Sequence, residues 1–128
     1  MTFDHERLDV YRLALDFLVF ANDLTSKLPR GRAHFADQHG RAALSILLNI
    51  AEGAGKTSPA DKRRFYLTAR GSATESAAML DALTRLGLLD ETHQLRGKEI
   101  LLRIVSMLVK LARTLESARK DERGRFAV

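Results

Sequence analysis

Residues 41–53 read Arg-Ala-Ala-Leu-Ser-Ile-Leu-Leu-Asn-Ile-Ala-Glu-Gly, and no other stretch limits the fold so strongly. Wound as a helix at about 100° per residue, Gln38, Arg41, Ser45, Asn49 and Glu52 fall on one narrow polar line. The remainder is apolar: Ala42, Ala43, Leu44, Ile46, Leu47, Leu48, Ile50 and Ala51. That arc spans roughly 240°, against about 100° for a helix that faces a single core. A helix of this kind is either central to its own domain or shared with another subunit.

Its surroundings read as helical too. The chain has two prolines, few aromatics and no alternating β-branched runs. A first helix is expected from Glu6 to Lys27, with Leu8, Tyr11, Leu15, Leu18 and Leu24 as its stripe, widened by Ala14, Phe17 and Ala21. The helix of the polar line is expected from Phe35 to Ala54. A third starts at Ser58-Pro59-Ala60-Asp61, a capping hydroxyl followed by proline at the first helical position. Along it Phe65, Ala69, Ser72, Ser76, Met79, Leu83 and Leu86 recur in steps of four and three, a heptad seam with small residues at its middle. A fourth is expected from Gln94 to Lys120, facing inward through Leu101, Ile104, Val105, Leu108, Leu111, Ala112, Leu115 and Ala118. Short turns between long helices make sequence neighbours antiparallel. The expected fold is all-α: an up-down-up-down antiparallel four-helix bundle in one domain, residues 1–120, with a flexible tail at 121–128.

The chain has 128 residues and no cysteine, so disulfides, thiolate zinc sites and cysteine nucleophiles are excluded. No apolar run reaches the 18 residues of a membrane span, and no basic-then-apolar leader opens the chain. A cytoplasmic protein without a membrane partner is expected. The net charge of +5 is unevenly placed. Residues 1–26 and 71–95 each carry −3, residues 27–70 carry +6, and residues 96–128 carry +5. Subunits meeting through complementary charge, a surface for a polyanion, and solvated faces all fit such alternation.

Reaction chemistry finds no foothold. Di-iron bundles use Glu-x-x-His pairs, and no glutamate here has a histidine three residues later. His5, His34, His39 and His93 are expected at the surface, near helix ends or in loops. Gly55-Lys56-Thr57 matches the end of a phosphate loop, but Ile50 stands where the first glycine belongs and a helix precedes it. No serine sits in G-x-S-x-G; Ser72 is expected to serve close packing. No catalytic residue, metal ligand or cofactor is expected.

Two groups of residues remain as candidates. Lys56, Lys62, Arg63, Arg64 and Arg70 gather basic charge around the start of the third helix, where it opposes the helix dipole. They suit phosphate or an acidic patch, and equally a solvated face. The polar line contains no lysine, which suits a semi-buried network at a helix or subunit junction. Arg41 and Glu52 need partners there, and Glu75 and Arg64 are candidates.

Asp37-Gln38, Arg41-Ala42-Ala43-x-Ser45-Ile46, Asn49-Ile50-Ala51-Glu52-Gly53 and Arg70-Gly71-Ser72-Ala73-x-Glu75 occur in this order. From about Leu8 to Leu115 the chain resembles the bacterial four-helix-bundle proteins encoded within intervening sequences of large-subunit ribosomal RNA genes. The resemblance implies a left-handed antiparallel bundle that assembles as a ring-like homopentamer. Relatives of that family include the accessory proteins of diversity-generating retroelements, basic barrels that bind RNA or DNA and a reverse transcriptase. For most members no activity is known. The expected function is therefore a non-catalytic oligomeric module that binds nucleic acid through a basic surface; the alternative is a protein-interaction scaffold with no nucleic-acid role. Gln38, Arg41, Ser45, Asn49, Glu52, Ser72 and Glu75 are expected to form structural polar contacts that fix how helices or subunits meet. The chain departs from the family where an apolar residue and an arginine are usual between Gln38 and Arg41: His39 and Gly40 stand there. Ser76 stands where a cysteine is frequent.

Overall fold

A computed structural model describes the backbone of residues 1–126, and the side chains of these except 119, 122, 123, 125 and 126. Its four long helices are α1 (Asp9–Ser26), α2 (Ala33–Gly55), α3 (Pro59–Arg85) and α4 (Glu91–Phe126), preceded by a 3-10 turn at Asp4–Arg7. Each helix packs along its sequence neighbour, and α1 closes on α4; α2 and α4, like α1 and α3, stand diagonally, with no close backbone approach among the described residues. This is the four-helix bundle expected, with α2 and α4 at opposite corners. No strand occurs among the described residues, and none of their helices is long and apolar enough to cross a membrane.

Local chemistry sets the ends. The Ser58 hydroxyl accepts from the Asp61 N–H at 3.0 Å, and Pro59 opens α3 where its missing N–H costs nothing. At the other end Gly87 takes φ +76, the left-handed region that glycine enters without strain. The Leu88 N–H then reaches Leu83 O at 2.9 Å and the Gly87 N–H reaches Thr84 O at 3.0 Å, a Schellman closure. The expected boundary at Lys120 is not marked by a break, since α4 continues to Phe126; Ala127 and Val128 of the expected tail lie outside the described residues.

Phe17, Ile46, Ile50, Leu80, Leu83, Ile104 and Leu108 are fully buried at the centre. Each stabilises the fold by about 1.5–3 kcal/mol relative to an exposed side chain. Two expected stripes are corrected. In α1 the buried line is Val10, Leu13, Ala14, Phe17, Ala21 and Leu24. Ala14, Phe17, Ala21 and Leu24 were expected, and Leu8, Tyr11 and Leu18 pack partly buried against the core; Val10 and Leu13 replace Leu15, which is left 40% exposed. In α3 the buried seam is Tyr66, Ala69, Ala73, Ser76, Leu80 and Leu83. It shares Ala69, Ser76 and Leu83 with the expected seam but runs through Tyr66, Ala73 and Leu80 in place of Phe65, Ser72 and Met79. The reason is that α3 has two neighbours. Ser72 turns to α2, while Leu80 turns to Gly97 of α4, where an added Cβ would lie 2.6 Å from its Cδ1. Leu86, expected in the seam, lies beyond the helix end and is exposed. Asp81 accepts from Lys98 at 2.7 Å and Gln94 at 2.9 Å, tying α3 to α4 and holding its carboxyl below the usual carboxylate range.

Candidate functional site

The polar line of α2 lies along α3. Gln38 Nε2 donates to Glu75 Oε1 at 2.8 Å, at the exposed end. Deeper in, Asn49 Nδ2 donates to Ser45 O at 2.8 Å and to Ser45 Oγ at 3.1 Å. Ser45 Oγ, accepting there, is free to donate to Ser72 Oγ at 2.8 Å. Asn49, Ser45 and Ser72 thus form one relay across the two helices. Just beyond it Gly53 admits Tyr66: a Cβ on Gly53 would sit 2.9 Å from the Tyr66 ring and 3.1 Å from Phe65 Cβ. The motif Asn49–Gly53 is therefore a helix-crossing device, with polar contacts for register and glycine for closeness.

Arg41 and Glu52 do not join it. Arg41 pairs with Asp37 at 3.0 Å, one turn earlier in the same helix, and Glu52 pairs with Lys56 at 3.6 Å. The expected partners are engaged elsewhere, Glu75 with Gln38 and Arg64 with Asp61 at 3.7 Å. Both α2 pairs are well exposed, where such contacts contribute little.

The basic group disperses in the same way. Lys62 Nζ donates to Ala54 O at 2.7 Å and Gly53 O at 3.3 Å, so its ammonium caps the C-terminus of α2. This explains its place near a helix start: it serves the helix before. Arg63 pairs with Glu116 of α4 at 3.3 Å, its Nε out of line for a hydrogen bond. That places Arg63 on the flank facing α4. Lys56 and Arg64 lie over the Phe65 ring, 5.3 Å and 4.7 Å from its centre. Arg70 is exposed.

His39 corrects the expectation of surface histidines. It is completely buried, its ring 5.8 Å from Phe17, and neither ring nitrogen has a hydrogen-bond partner. Burial holds its pKa below the ordinary value. The signal was present: position 39 is seven residues before buried Ile46 and so on nearly the same side of the helix. His34 and His93 are exposed, and His93 contacts Asp90 at 2.8 Å. No group of three or more His, Cys, Asp or Glu able to hold a metal occurs among the described residues.

Outward from the core, α2 presents Leu44 at 43% and Leu48 at 52% exposure, in line with Gly40, Ala51 and Gly55. On α4, Leu95 and Leu102 are 67% and 69% exposed. The inward face expected for α4 did not include them, although their seven-residue spacing marks one side of a helix.

No curated protein matches this chain. A solved structure similar to it is that of a protein of unknown function from the S23 ribosomal protein family, from Bacteroides thetaiotaomicron VPI-5482. The two share 23% identity at a TM-score of 0.75, over 80% of this chain and 97% of the other, a likeness of fold. The family model for the 23S rRNA-intervening sequence protein matches residues 6–110, the span that holds the Asn49–Gly53 crossing, the Ser45–Ser72 and Gln38–Glu75 contacts and all of α1 to α3. With most of its length so matched, the chain belongs to the 23S rRNA-intervening sequence protein family.

Proposed function

We propose that this protein is a non-catalytic module that works as a homo-oligomer. The observation that carries the reading is the outward face of α2, where Leu44 and Leu48 stay in water after the bundle has formed. A helix apolar beyond the needs of its own core gains most by meeting another copy. The pentamer implied by the family resemblance is one closed form of such an assembly. Light scattering at micromolar concentration tests it: a mass several times 14.3 kDa is expected, falling to the monomer in Leu48→Asp. A monomeric unmodified protein overturns the reading.

A second reading, binding of RNA or DNA by that oligomer, is favoured by exposed Arg103, Lys110, Arg113 and Lys120 on α4 together with Arg70. It moves the candidate surface off the start of α3, where Lys62, Arg63 and Arg64 are engaged within the molecule. Phosphate contacts predict affinity that falls steeply with salt and shows little sequence preference. A mobility-shift titration with structured RNA at two salt concentrations is the test, and no shift at low salt refutes it. A protein partner recovered by pull-down after nuclease treatment supports the scaffold instead.

A further inference from the structure

Along α1, α2 and the first turns of α3, the cations are engaged within the chain. Arg12, Arg41 and Arg64 pair with carboxylates one turn away, Lys62 caps α2, and Arg63 reaches Glu116. From Arg70 onward the pattern changes. Arg70 on α3 and Arg103, Lys110, Arg113 and Lys120 on α4 are exposed, and among the described residues none of the five pairs with a carboxylate. Their places adjoin. Arg70 stands seven residues after Arg63 and eleven before Asp81, on the same side of α3. Arg63 and Asp81 both contact side chains of α4, Glu116 and Lys98, so Arg70 lies on the edge that faces α4. On α4, Lys98 and Glu116 mark the side toward α3; Arg113 and Lys120 form the next row outward, and Arg103 and Lys110 the row after it. From Glu99 to Asp121 the sole carboxylate in between is Glu116, which is turned to Arg63. Exposed Ser106 and Ser117 stand among the cations. Arg103 to Lys120 spans roughly 25 Å along the helix. The other flank of α4 is mixed, since Asp16 and Asp23 of α1 line a cleft there with Arg96 and Arg103. The acid-poor surface therefore opens toward α3.

We propose that this outward face, where α3 meets α4, binds the phosphate backbone of a double-helical nucleic acid. This rests on the second reading above, binding of RNA or DNA, and names the form of the ligand and the residues that hold it. Cations without partners gain most from a dense row of phosphates, because they release the counterions condensed there. Arginine, lysine and serine are ordinary contacts to phosphate and sugar. A duplex carries one charge per about 1.7 Å of its axis, twice the density of either strand. A single strand is held instead by aromatic side chains on which its bases stack. No Phe, Tyr, Trp or His occurs from Leu67 to Arg85 or from Leu95 to Lys120, and no Asn or Gln to read an adenine edge. The face thus has what a backbone needs and lacks what exposed bases need. Its length is less than the roughly 34 Å of a duplex turn, so the cations follow one side of the double helix.

Fluorescence anisotropy with the full chain tests it, using labelled duplex RNA, duplex DNA and single strands of the same length across a salt series. A duplex is expected to bind about tenfold more tightly than its own strands, with a slope of log affinity against log salt near −4 for five neutralised phosphates. Preference for either duplex over its strands supports the proposal, and the tighter duplex names the source of the backbone. Lys110→Ala with Arg113→Ala, both exposed, is expected to weaken duplex binding about tenfold and to flatten the slope by about 2. Arg12→Ala with Lys27→Ala removes the same charge from positions paired within the chain and is expected to cost about twofold at most. Equal losses in the two double variants overturn the proposal, because net charge alone is then at work. Single strands bound as tightly as duplexes overturn it as well. No binding of any strand or duplex at low salt overturns the nucleic-acid reading itself, which separates the two failures.

Discussion

Asn49–Gly53 and His39–Gly40 lie on the same helix, about three turns apart, and are built to opposite standards. At the first, the Asn49 amide, both serine hydroxyls and the Tyr66 ring each have a set place where α2 meets α3. At the second, a buried imidazole has no partner, and the glycine beside it has nothing within 4 Å of where a side chain would begin. The tight end carries the motif on which the resemblance to the family rests; the loose end carries His39 and Gly40. One helix crossing is enough to set how α2 and α3 meet.

Closing the gap at the tight end is expected to do the most damage. Gly53→Val drives a branched side chain into Tyr66 and Phe65, with contacts already at 2.9–3.1 Å for the Cβ alone. Overpacking of this kind costs about 3 kcal/mol at the upper end. Chemical denaturation reads it, and a loss below ~1 kcal/mol shows that α3 can move away. The loose end is expected to respond with the opposite sign. His39→Leu keeps the volume and removes two polar atoms without partners, a gain of about 2 kcal/mol.

His39 also gives the two ends different pH behaviour. Burial favours its neutral form, so its pKa in the fold lies below the unfolded value near 6.5. Its contribution is intact above that value and is lost as pH falls from there toward the folded pKa, because the unfolded chain binds the proton more readily. The slope reaches at most about 1.4 kcal/mol per pH unit. Denaturation midpoints measured from pH 7.5 down to 5 show the decline, and His39→Leu removes that part of it. An unchanged profile in the variant places the acid sensitivity elsewhere. Gly40→Ala is the gentler repair: with open space around it, alanine gains about 1 kcal/mol of helix propensity.

The four helices and the Ser58 cap were legible because their signals are local: periodicity, a hydroxyl before proline, glycine after the last turn. The seam of α3 was not. Phe65-Ser72-Met79 and Tyr66-Ala73-Leu80 carry the same spacing around shared Ala69, Ser76 and Leu83, and only the positions of α2 and α4 choose between them. The same limit governs charged residues. Lys62 reads as one of a basic run, yet its ammonium belongs to carbonyls eight and nine residues earlier, brought close by the α2–α3 turn. Arg41 and Glu52 share the polar line with Ser45 and Asn49, but at its outer edge long side chains reach partners one turn away before they reach α3. The polar line of the sequence marked where the site lies; contact geometry decided which members form it.

The smallest effect probes the relay directly. Ser45→Ala, Ser72→Ala and the double variant form a cycle that isolates the hydroxyl–hydroxyl contact at 2.8 Å. A coupling of about 0.5–1 kcal/mol is expected, since the bond is part-buried and Asn49 polarises it from the α2 side. The same cycle on Gln38 and Glu75, both exposed, is expected to return a few tenths of a kcal/mol at most, because water competes there for every donor and acceptor. Equal couplings at the two positions mean that the tight end owes its register to Gly53 and Tyr66 alone. A clear excess at Ser45–Ser72 shows that hydrogen bonds within the motif, and not merely the space left by its glycine, hold α2 in place against α3.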